Sequence, residues 1–498
     1  MRKPIFSALA ILFIFFAAMA VLEFSTPDLP DNDGFYHIKM AYLMRTESLK
    51  PAFPYLPLTI LNADDFYDHH FLYHVALIPF TFGDLRLGAK WSAVLFASLA
   101  FFAVWMLFKR QRIPLHWLWA VALLALSSPF LYRMSVTRAQ SLSLGILALG
   151  MILLLERKHK QLAALAFIYV WTYNAFPMLL AVGILHFLAV ALIERRFDFR
   201  PLLFIAGGML AGVLVNPYFP NNILFTYHHL FAKLTDATST SVGNEWYPYT
   251  TLQILNNSLP SLVVFAGGIF ALGLSGRKMD TRTAFSLLAA LMFGVMFFQA
   301  RRFVEYFPPF ALIFAALAFA PLLERVADSP SPTESVPARF PARLRTKLPI
   351  ILLSLFVAAG LVRTLPMARA DIIDSAPYWS FQGASAWLEH NTPEGSRVFQ
   401  TDWDDFPRLF YYNTHNTYIV GLDPTYMQIY DPDLYATWVN LTQGDMRPIS
   451  YVVATRFDAN YIVSDLYHSD FLDVAEDDPY LIEVYRDERS VVYEIVLP

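Results

Sequence analysis

The sequence predicts a polytopic α-helical membrane protein that carries a soluble α/β domain at its C-terminal end. The 498-residue chain is 56% hydrophobic but only 16% charged, whereas charged residues make up about a quarter of an ordinary globular chain. Long apolar stretches recur up to about residue 366, and short β-type runs between acidic turns follow. No basic tract or nucleic-acid motif is present in the sequence, so no nucleic-acid partner is expected. The absence of cysteine excludes disulfides and thiol chemistry.

Apolar stretches of roughly 16 to 21 residues, the length that a membrane-spanning helix needs, predict about eleven transmembrane helices. They lie at residues 5–24, 89–108, 114–131, 139–155, 161–176, 177–193, 201–216, 255–274, 282–299, 303–323 and 347–366. Clusters of Lys and Arg follow every second stretch. Because cytoplasmic loops are enriched in these residues, the alternation predicts an inner-membrane protein with a cytoplasmic N-terminus and an extracytoplasmic C-terminal domain.

The predicted membrane domain covers residues 1–366 and includes two long outer loops, at 25–88 and 217–254. A stretch rich in Pro and Ser, residues 324–347, is expected to be a flexible cytoplasmic linker before the last helix. Residues 367–498 form the predicted extracytoplasmic α/β domain. On this topology, the side chains best suited to chemistry all fall on the outer side of the membrane.

The first outer loop opens with acidic and aromatic side chains close to the membrane surface. Asp31, Asp33, Tyr36 and His37 lie within a few residues of one another. Carboxylates in such a place can hold a divalent cation, orient a nucleophile or accept its proton, because the apolar surroundings strengthen electrostatic contacts. The alternative is a solvated acidic loop that caps a helix.

Further along the same loop, Asp68, His70 and His74 form a candidate metal site. His70 and His74 are four residues apart, so on a helix they would share one face, and a carboxylate with two imidazoles suits a metal of borderline hardness. The alternative is a re-entrant or interfacial helix, on which His and Tyr are common as amphipathic rings.

Two later features place charge on the outer side. Glu245 lies between the run SVGN and an aromatic cluster, where a flexible loop could carry its carboxylate toward the first loop. An interfacial aromatic anchor with an incidental acid is the alternative. Basic residues on this side are unusual, and their guanidinium groups suit a phosphate or diphosphate; pairing with Glu305 or another acid would also explain them. These basic residues are Arg133, Arg138, Arg301 and Arg302.

Together these features resemble the GT-C membrane glycosyltransferases, and among them the catalytic subunits of oligosaccharyltransferases. The resemblance rests on short motifs in a shared order: Asn32-Asp33-Gly34 before an aromatic residue, the glutamate-bearing late loop, Arg-Arg-Phe-x-x-Tyr at 301–306, Trp-x-x-x-Asn-Thr-Pro at 387–393, and Trp403-Asp404-Asp405-Phe406. The last of these is similar to the Trp-Trp-Asp-Tyr-Gly motif of the family.

The resemblance implies an inverting glycosyltransferase that moves a sugar or oligosaccharide from a polyprenyl-phosphate-linked donor to a glycan, lipid or protein acceptor. It makes Asp33 the essential carboxylate, as metal ligand or as base, and Glu245 a contact to acceptor and metal. Arg302, with Arg301, would lie near the lipid phosphate. A divalent cation such as Mg or Mn would be held by Asp33, Asp31 and Glu245. The acceptor would contact residues of the first loop and the C-terminal domain, namely Tyr36, His37, Trp403, Asp404 and Asp405.

The chain departs from the family in its second outer loop. There the family carries an Asp-x-Asp or Asp-x-Glu pair, whereas the stretch SPFLYRMSVTRAQ holds Arg133 and Arg138 and no acid. These arginines are therefore candidates to replace the charge of a metal in stabilising a phosphate leaving group. Two other classes fit the sequence as well: a glycolipid carrier or flippase, and a non-catalytic GT-C-like scaffold.

Overall fold

A computed structural model describes residues 2–235, 243–328 and 342–498 of the chain. The α-helices in these residues are α1 (Arg2–Glu23), α2 (Asp33–Thr46), α3 (Phe71–Leu77), α4 (Leu85–Arg110), α5 (His116–Val121), α6 (Ser128–Ser135), α7 (Gln140–Leu155), α8 (His159–Thr172), α9 (Pro177–Glu194), α10 (Arg200–Leu214), α11 (Asn221–Thr235), α12 (Thr251–Asn257), α13 (Leu259–Ser275), α14 (Thr281–Gln299), α15 (Phe307–Asp328), α16 (Ala342–Ile373), α17 (Gln382–Asn391), α18 (Phe406–Tyr412), α19 (Thr425–Tyr430), α20 (Pro432–Thr442), α21 (Ile449–Arg456) and α22 (Ser469–Glu476). The β-strands are β1 (Arg397–Gln400), β2 (Thr417–Tyr418), β3 (Tyr461–Asp465), β4 (Leu481–Arg486) and β5 (Ser490–Ile495).

The chain divides into two compact units, each made of three segments. The first, called the membrane unit below, comprises Met1–Thr26, Lys90–Val213 and Asn244–Asp374. The second, called the sheet unit, comprises Pro27–Ala89, Leu214–Gly243 and Ser375–Pro498. The first outer loop therefore belongs to the same compact unit as the C-terminal strands.

The membrane unit is built from apolar helices long enough to cross a bilayer, as predicted. Among the described residues six helices meet this condition, namely α1, α4, α9, α14, α15 and α16. Two bent helix pairs raise the number to eight if each counts as one span: residues 116–135 bend by 89° and residues 251–275 by 86°.

This range of six to eight spans leaves the predicted count of eleven unconfirmed. Three of the predicted stretches form α7, α8 and α10, which have 16, 14 and 15 residues. They are shorter than the roughly 20 residues of a full span.

Aromatic packing between α14 and α15 fixes the short turn that joins them. The rings of Phe293 and Tyr306 stack at a centroid distance of 5.2 Å, and those of Phe297 and Phe307 at 5.3 Å. The turn itself is a 3-10 helix, Arg301–Glu305. Its charged side chains are thus held at the end of two packed helices, outside the spans themselves.

The linker predicted at 324–347 lies largely outside the described residues. Helix α15 extends to Asp328 and α16 begins at Ala342, so both ends of the predicted linker are helical. Helix α16 also runs through the predicted domain boundary at 367, as far as Ile373.

The sheet unit contains a mixed sheet in the strand order β2-β1-β3-β5-β4. Strand β1 pairs in parallel with β2 and β3, with Val398 opposite Tyr461, and β5 runs antiparallel to both β3 and β4. Phe399, Ile462 and Val491 face a buried core that is shared with helices α19 to α22. This is the α/β architecture that the alternation of short apolar runs predicts.

Candidate functional site

Five charged side chains of the membrane unit form what we call the arginine–glutamate cluster: Arg133, Arg138, Glu245, Arg302 and Glu305. The Arg133 Nη1 atom lies 2.8 Å from Glu245 Oε2, and Arg138 Nη1 lies 3.4 Å from the same oxygen. Arg302 Nη1 lies 3.5 Å from Glu245 Oε1. Arg133 also donates from Nε to Glu305 Oε1 at 2.6 Å. Three of the four predicted phosphate-binding arginines therefore meet around one predicted catalytic glutamate.

Three short helical segments bring these side chains together. Arg133 lies on α6, whose first turn is capped by Ser127 accepting a hydrogen bond from the Phe130 amide at 3.3 Å. Arg302 lies in the turn between α14 and α15, and Glu245 lies in a 3-10 turn, Asn244–Trp246. Each side chain thus projects from a helix end or a turn, where backbone direction changes and charged groups can converge.

Aromatic residues hold the Glu245 segment against the α14–α15 turn. The guanidinium of Arg302 lies over the Trp246 ring at 4.2 Å, and that of Arg301 lies over the Tyr249 ring at 5.2 Å. The Arg301 amide donates to the Tyr247 carbonyl at 3.0 Å. The fourth predicted arginine, Arg301, therefore contacts the backbone and a ring of this segment.

The two glutamates of the cluster differ in burial and therefore in role. The Glu305 side chain is 1% exposed, whereas Glu245 is 27% exposed. Burial raises the pKa of Glu305 above its ordinary value, and Arg133 opposes this shift; a bonded guanidinium favours the ionised carboxylate. Burial also acts to raise the pKa of Glu245, but Arg133, Arg302 and Arg138 outweigh it and hold that pKa well below its ordinary range.

The sequence alone suggested either a phosphate ligand or an acidic partner for these arginines, and the structure contains the acidic partners. It also adds two groups that the sequence gave no reason to select. Arg302 Nη2 donates to the hydroxyl of Tyr173 at 3.3 Å, and Trp246 stacks on the same guanidinium. Tyr173 follows an unremarkable apolar helix, so no local pattern marks it.

In the sheet unit, Asp68, His74 and His37 form a buried hydrogen-bonded chain. His74 Nδ1 lies 2.7 Å from Asp68 Oδ2, and His74 Nε2 lies 2.8 Å from His37 Nδ1. All three side chains are buried. In the tautomer in which His74 donates from Nδ1 to Asp68, its Nε2 accepts the hydrogen bond from His37 Nδ1–H.

His70 is the N-cap residue of α3, which begins at Phe71, and its carbonyl accepts a hydrogen bond from the His74 amide at 2.9 Å. The two imidazole rings lie 6.0 Å apart, centroid to centroid. His74 already uses both ring nitrogens in hydrogen bonds to Asp68 and His37. A metal bound by Asp68, His70 and His74 would have to break at least one of these bonds.

The other predicted metal ligands do not fit a cation better. The Asp33 amide donates to Asp31 Oδ1 at 2.8 Å, so that oxygen serves as a local cap. Glu245 is surrounded by three guanidinium groups, which would repel a divalent cation. Across the described residues, no group of three or more His, Asp or Glu side chains is arranged to hold a metal ion. The divalent cation stays a prediction, and no step below depends on it.

Asn32 links the first outer loop to the Trp403–Asp405 turn within the sheet unit. Its Nδ2 donates to Asp404 Oδ2 at 2.9 Å, and its Oδ1 accepts from Arg408 Nε at 2.7 Å. Asp33, the first residue of α2, is half-buried beside it. Two of the sequence motifs, Asn-Asp-Gly and Trp-Asp-Asp-Phe, are thus in direct contact.

The residues predicted to bind the acceptor fall into two groups by exposure. Tyr36, His37 and Asp405 are buried, and the Tyr36 ring packs edge-on against His74 at 5.7 Å. Burial raises the pKa of Asp405 well above its ordinary value, and neighbouring carboxylates add to the effect. Trp403, in contrast, lines a cavity of about 790 Å³. The position of Trp403 in the cavity lining agrees with a contact to the acceptor. For all five residues, acceptor binding stays a prediction.

The architecture defines the class of fold: a multi-pass membrane protein with the fold of GT-C glycosyltransferases. The oligosaccharyltransferase AglB from Archaeoglobus fulgidus, solved with an inhibitory peptide and a dolichol-phosphate, matches with a TM-score of 0.65 at 14% identity, over 95% of this chain and 71% of that chain. ArnT from Cupriavidus metallidurans, solved with undecaprenyl phosphate, matches with a TM-score of 0.56 at 14% identity, over 99% of this chain and 98% of that chain.

The mycobacterial arabinofuranosyltransferase AftD matches with a TM-score of 0.56 at 16% identity, over 98% of this chain and 41% of that one. Comparison of the sequence with protein-family models and with curated proteins gives no match. The structural likeness confirms the resemblance to GT-C glycosyltransferases at the level of the fold.

Proposed function

We propose that this protein is a membrane glycosyltransferase that takes a sugar from a polyprenyl-phosphate-linked donor and transfers it to an acceptor outside the cytoplasm. The observation that carries the proposal is the meeting of Arg133, Arg138 and Arg302, with side-chain exposures of only 12%, 14% and 18%. Half-buried guanidinium groups at helix ends form a site for a phosphate. The solved neighbours with bound dolichol-phosphate and undecaprenyl phosphate support this assignment.

In the proposed reaction, these arginines bind the phosphate of the donor and stabilise the charge that it gains. The bond between the anomeric carbon and the phosphate oxygen breaks, and its electron pair passes to that oxygen. The acceptor oxygen attacks the opposite face of the anomeric carbon, which inverts the configuration, and its proton passes to a carboxylate base, the role that the family resemblance gives to Asp33. Preorganised donors aimed at developing charge are the largest single source of catalysis in many enzymes.

Glu245 can take part in catalysis only after its carboxylate leaves the arginines. A carboxylate whose pKa is held well below its ordinary range is a weak base. The catalytic role implied for Glu245 therefore requires a rearrangement. The carboxylate that the family resemblance assigns as the base is Asp33.

A carrier or flippase for glycolipid would also need basic groups near a lipid headgroup. Transport proteins place their polar groups near the middle of the bilayer, whereas Arg302 and Glu305 lie in the turn between two spans. This placement favours the transferase. A non-catalytic scaffold would bind the same lipid without converting it. Measurement of turnover therefore separates the transferase from the other two classes, and measurement of lipid translocation separates the carrier from the scaffold.

The decisive experiment is complementation of a deletion strain with wild-type protein or with Asp33→Asn at matched protein level. Envelope glycans and polyprenyl-linked sugars are quantified by mass spectrometry, and Asp473→Asn, which changes an exposed carboxylate on α22, serves as the control. We expect Asp33→Asn to lose at least about 100-fold in transfer, as for removal of a general base, and to accumulate the lipid-linked precursor. Full activity in this variant would refute the assignment of Asp33.

A further inference from the structure

The carboxylate of Glu245 lies at the point where the three guanidinium groups of the cluster converge. Its Oε2 contacts Arg133 at 2.8 Å and Arg138 at 3.4 Å, and its Oε1 contacts Arg302 at 3.5 Å. A planar anion with two oxygens, spanned by three guanidinium groups, presents the same chemistry as one face of a phosphate. The position that the arginines offer to a phosphate is therefore filled by the protein's own side chain.

The second glutamate of the cluster is placed quite differently. Glu305 is 1% exposed, and its Oε1 lies 2.6 Å from Arg133 Nε and 2.5 Å from Arg133 Nη2. Glu245 is 27% exposed and bound by three arginines at longer average distance. Glu305 is thus a fixed counter-ion of Arg133, while Glu245 lies at the open side of the cluster, where an incoming anion arrives first.

We propose that Glu245 holds the place of the donor phosphate, and that the phosphate displaces it on binding. This inference rests on the proposed function, because it takes the arginine–glutamate cluster to be the phosphate site. Glu245 then acts as an internal competitor: it neutralises the arginines in the empty enzyme, and its return favours release of the lipid phosphate product.

The charges of the cluster agree with such an exchange. Three arginines and two glutamates leave a formal charge of one positive unit, and departure of Glu245 leaves two. A donor phosphodiester carries one negative charge, so it replaces the carboxylate without a change in total charge. Once the bond to the sugar breaks, the lipid phosphate carries two negative charges and matches the two positive units. The cluster thus binds the leaving group better than the donor, as catalysis requires.

The exchange requires little movement of the backbone around Glu245. The Arg301 amide donates to the Tyr247 carbonyl, and the Trp246 ring stacks on Arg302. These contacts hold residues 246 and 247 in place, so that rotation of the Glu245 side chain is the least costly way to open the site. Competition is by charge and not by protonation, since the pKa of Glu245 lies well below its ordinary range.

The test is a binding measurement on the full chain in lipid nanodiscs, with farnesyl phosphate as ligand and isothermal titration calorimetry as readout. We expect Glu245→Gln to bind farnesyl phosphate about tenfold more tightly than wild type, which corresponds to about 1.4 kcal/mol. Glu245→Asp, which keeps the charge on a shorter side chain, should fall between them. Glu488→Gln changes an exposed carboxylate of the sheet unit and should bind as wild type.

Arg302→Gln tests the phosphate site separately from the displacement of Glu245. If the arginines form the phosphate site, this variant should bind farnesyl phosphate about tenfold more weakly than wild type. If Arg302→Gln binds less tightly while Glu245→Gln binds no more tightly than wild type, the phosphate site stands and the displacement of Glu245 is refuted. If Arg302→Gln binds as wild type, the proposed phosphate site itself is wrong. Weaker binding by Glu245→Gln would mean that the carboxylate helps to hold the ligand, which also refutes displacement.

Folding of Glu245→Gln is checked by thermal unfolding with and without inorganic phosphate. Removal of one negative charge leaves three arginines with a single carboxylate, so the variant should unfold at a lower temperature than wild type. Added phosphate should restore its stability and should stabilise the wild type less. Equal stabilisation of both proteins by phosphate would contradict the proposal, independently of the calorimetric result.

Discussion

Replacement of Arg133 by Met is the perturbation whose energy can best be worked out from the structure. Arg133 is 12% exposed and Glu305 1%, with Nε and Oε1 at 2.6 Å. Loss of one partner of a buried pair leaves an unpaired charge in the protein and costs about 3–5 kcal/mol. Arg302 also acts against the burial that raises the pKa of Glu305, so it still favours the ionised carboxylate when Arg133 is absent. The lower end of this range, about 3 kcal/mol, is therefore expected for loss of the Arg133–Glu305 contact.

The contact of Arg133 with Glu245 adds less. Glu245 is 27% exposed and retains Arg138 and Arg302 as partners when Arg133 is replaced. Loss of the Arg133–Glu245 contact should therefore cost about 0.5–1 kcal/mol. Arg133→Met should therefore lower the free energy of unfolding by about 4 kcal/mol in total. In Arg133→Met/Glu305→Gln the buried charge is absent, and the cost should fall to about 1 kcal/mol.

The assay is equilibrium unfolding in mixed detergent micelles, followed for wild type, both single variants and the double variant. Such a cycle isolates the coupling between Arg133 and Glu305, expected to be at least about 3 kcal/mol, to which any cost of Glu305→Gln alone is added. A double variant as unstable as Arg133→Met would show that the buried carboxylate is not the source of the loss. A loss below about 1 kcal/mol in Arg133→Met would show that the pair contributes no more than an exposed one.

Two further predictions concern the sheet unit. Asp405 is buried, and its Oδ2 has no hydrogen-bond partner among the described residues. Because its folded pKa is raised, stability falls as pH rises above the unfolded value of about 3.9, and Asp405→Asn should raise the free energy of unfolding by about 1 kcal/mol at pH 7; a less stable variant in thermal unfolding would contradict this. His468 Nδ1 lies 2.8 Å from Asp465 Oδ1, which raises the pKa of His468 against the effect of its burial, while the pKa of Asp465 is lowered despite burial. The contribution of His468 is fully present below about pH 6.5 and is lost as pH rises through its raised pKa, whereas that of Asp465 is present above about pH 3.9 and is lost on acidification. The pair should therefore stabilise most between these values, and His468→Asn should flatten the profile of unfolding temperature against pH; an unchanged profile would exclude the pair as its source.

Arginines lie in the stretch where the resemblance would place an acidic pair, and they give the cluster its positive charge. In the family that the sequence resembles, the second outer loop supplies carboxylates. In this chain α6 supplies Arg133, and Arg138 follows three residues after the end of α6. The structure gathers both around Glu245. A site with three cations and two anions suits an anionic ligand, and under the proposed function guanidinium groups balance the charge of the donor phosphate.

Composition and local patterns are enough to predict a membrane protein and to select the residues of the cluster. Low charge and long apolar stretches require a membrane protein, because such surface cannot be buried in a soluble domain of this composition. The unusual positions of Arg133, Arg138 and Arg302 selected the residues that meet in the cluster. The order of short motifs also predicted the GT-C fold that the structural neighbours share. These signals are local or compositional, so one sequence can show them.

Only the tertiary structure decided which groups pair with one another. Arg133 and Glu305 are 172 positions apart, and no periodicity relates them. Helical spacing grouped His70 with His74, whose rings lie 6.0 Å apart, but it gave no sign that His74 hydrogen-bonds His37, 37 positions away. Apolar length likewise predicts eleven spans, whereas among the described residues six helices, or eight elements with the two bent pairs, are long enough to span. Contacts between residues far apart in the sequence depend on how whole helices pack. That packing is decided by many residues together, and a short motif contains only a few of them.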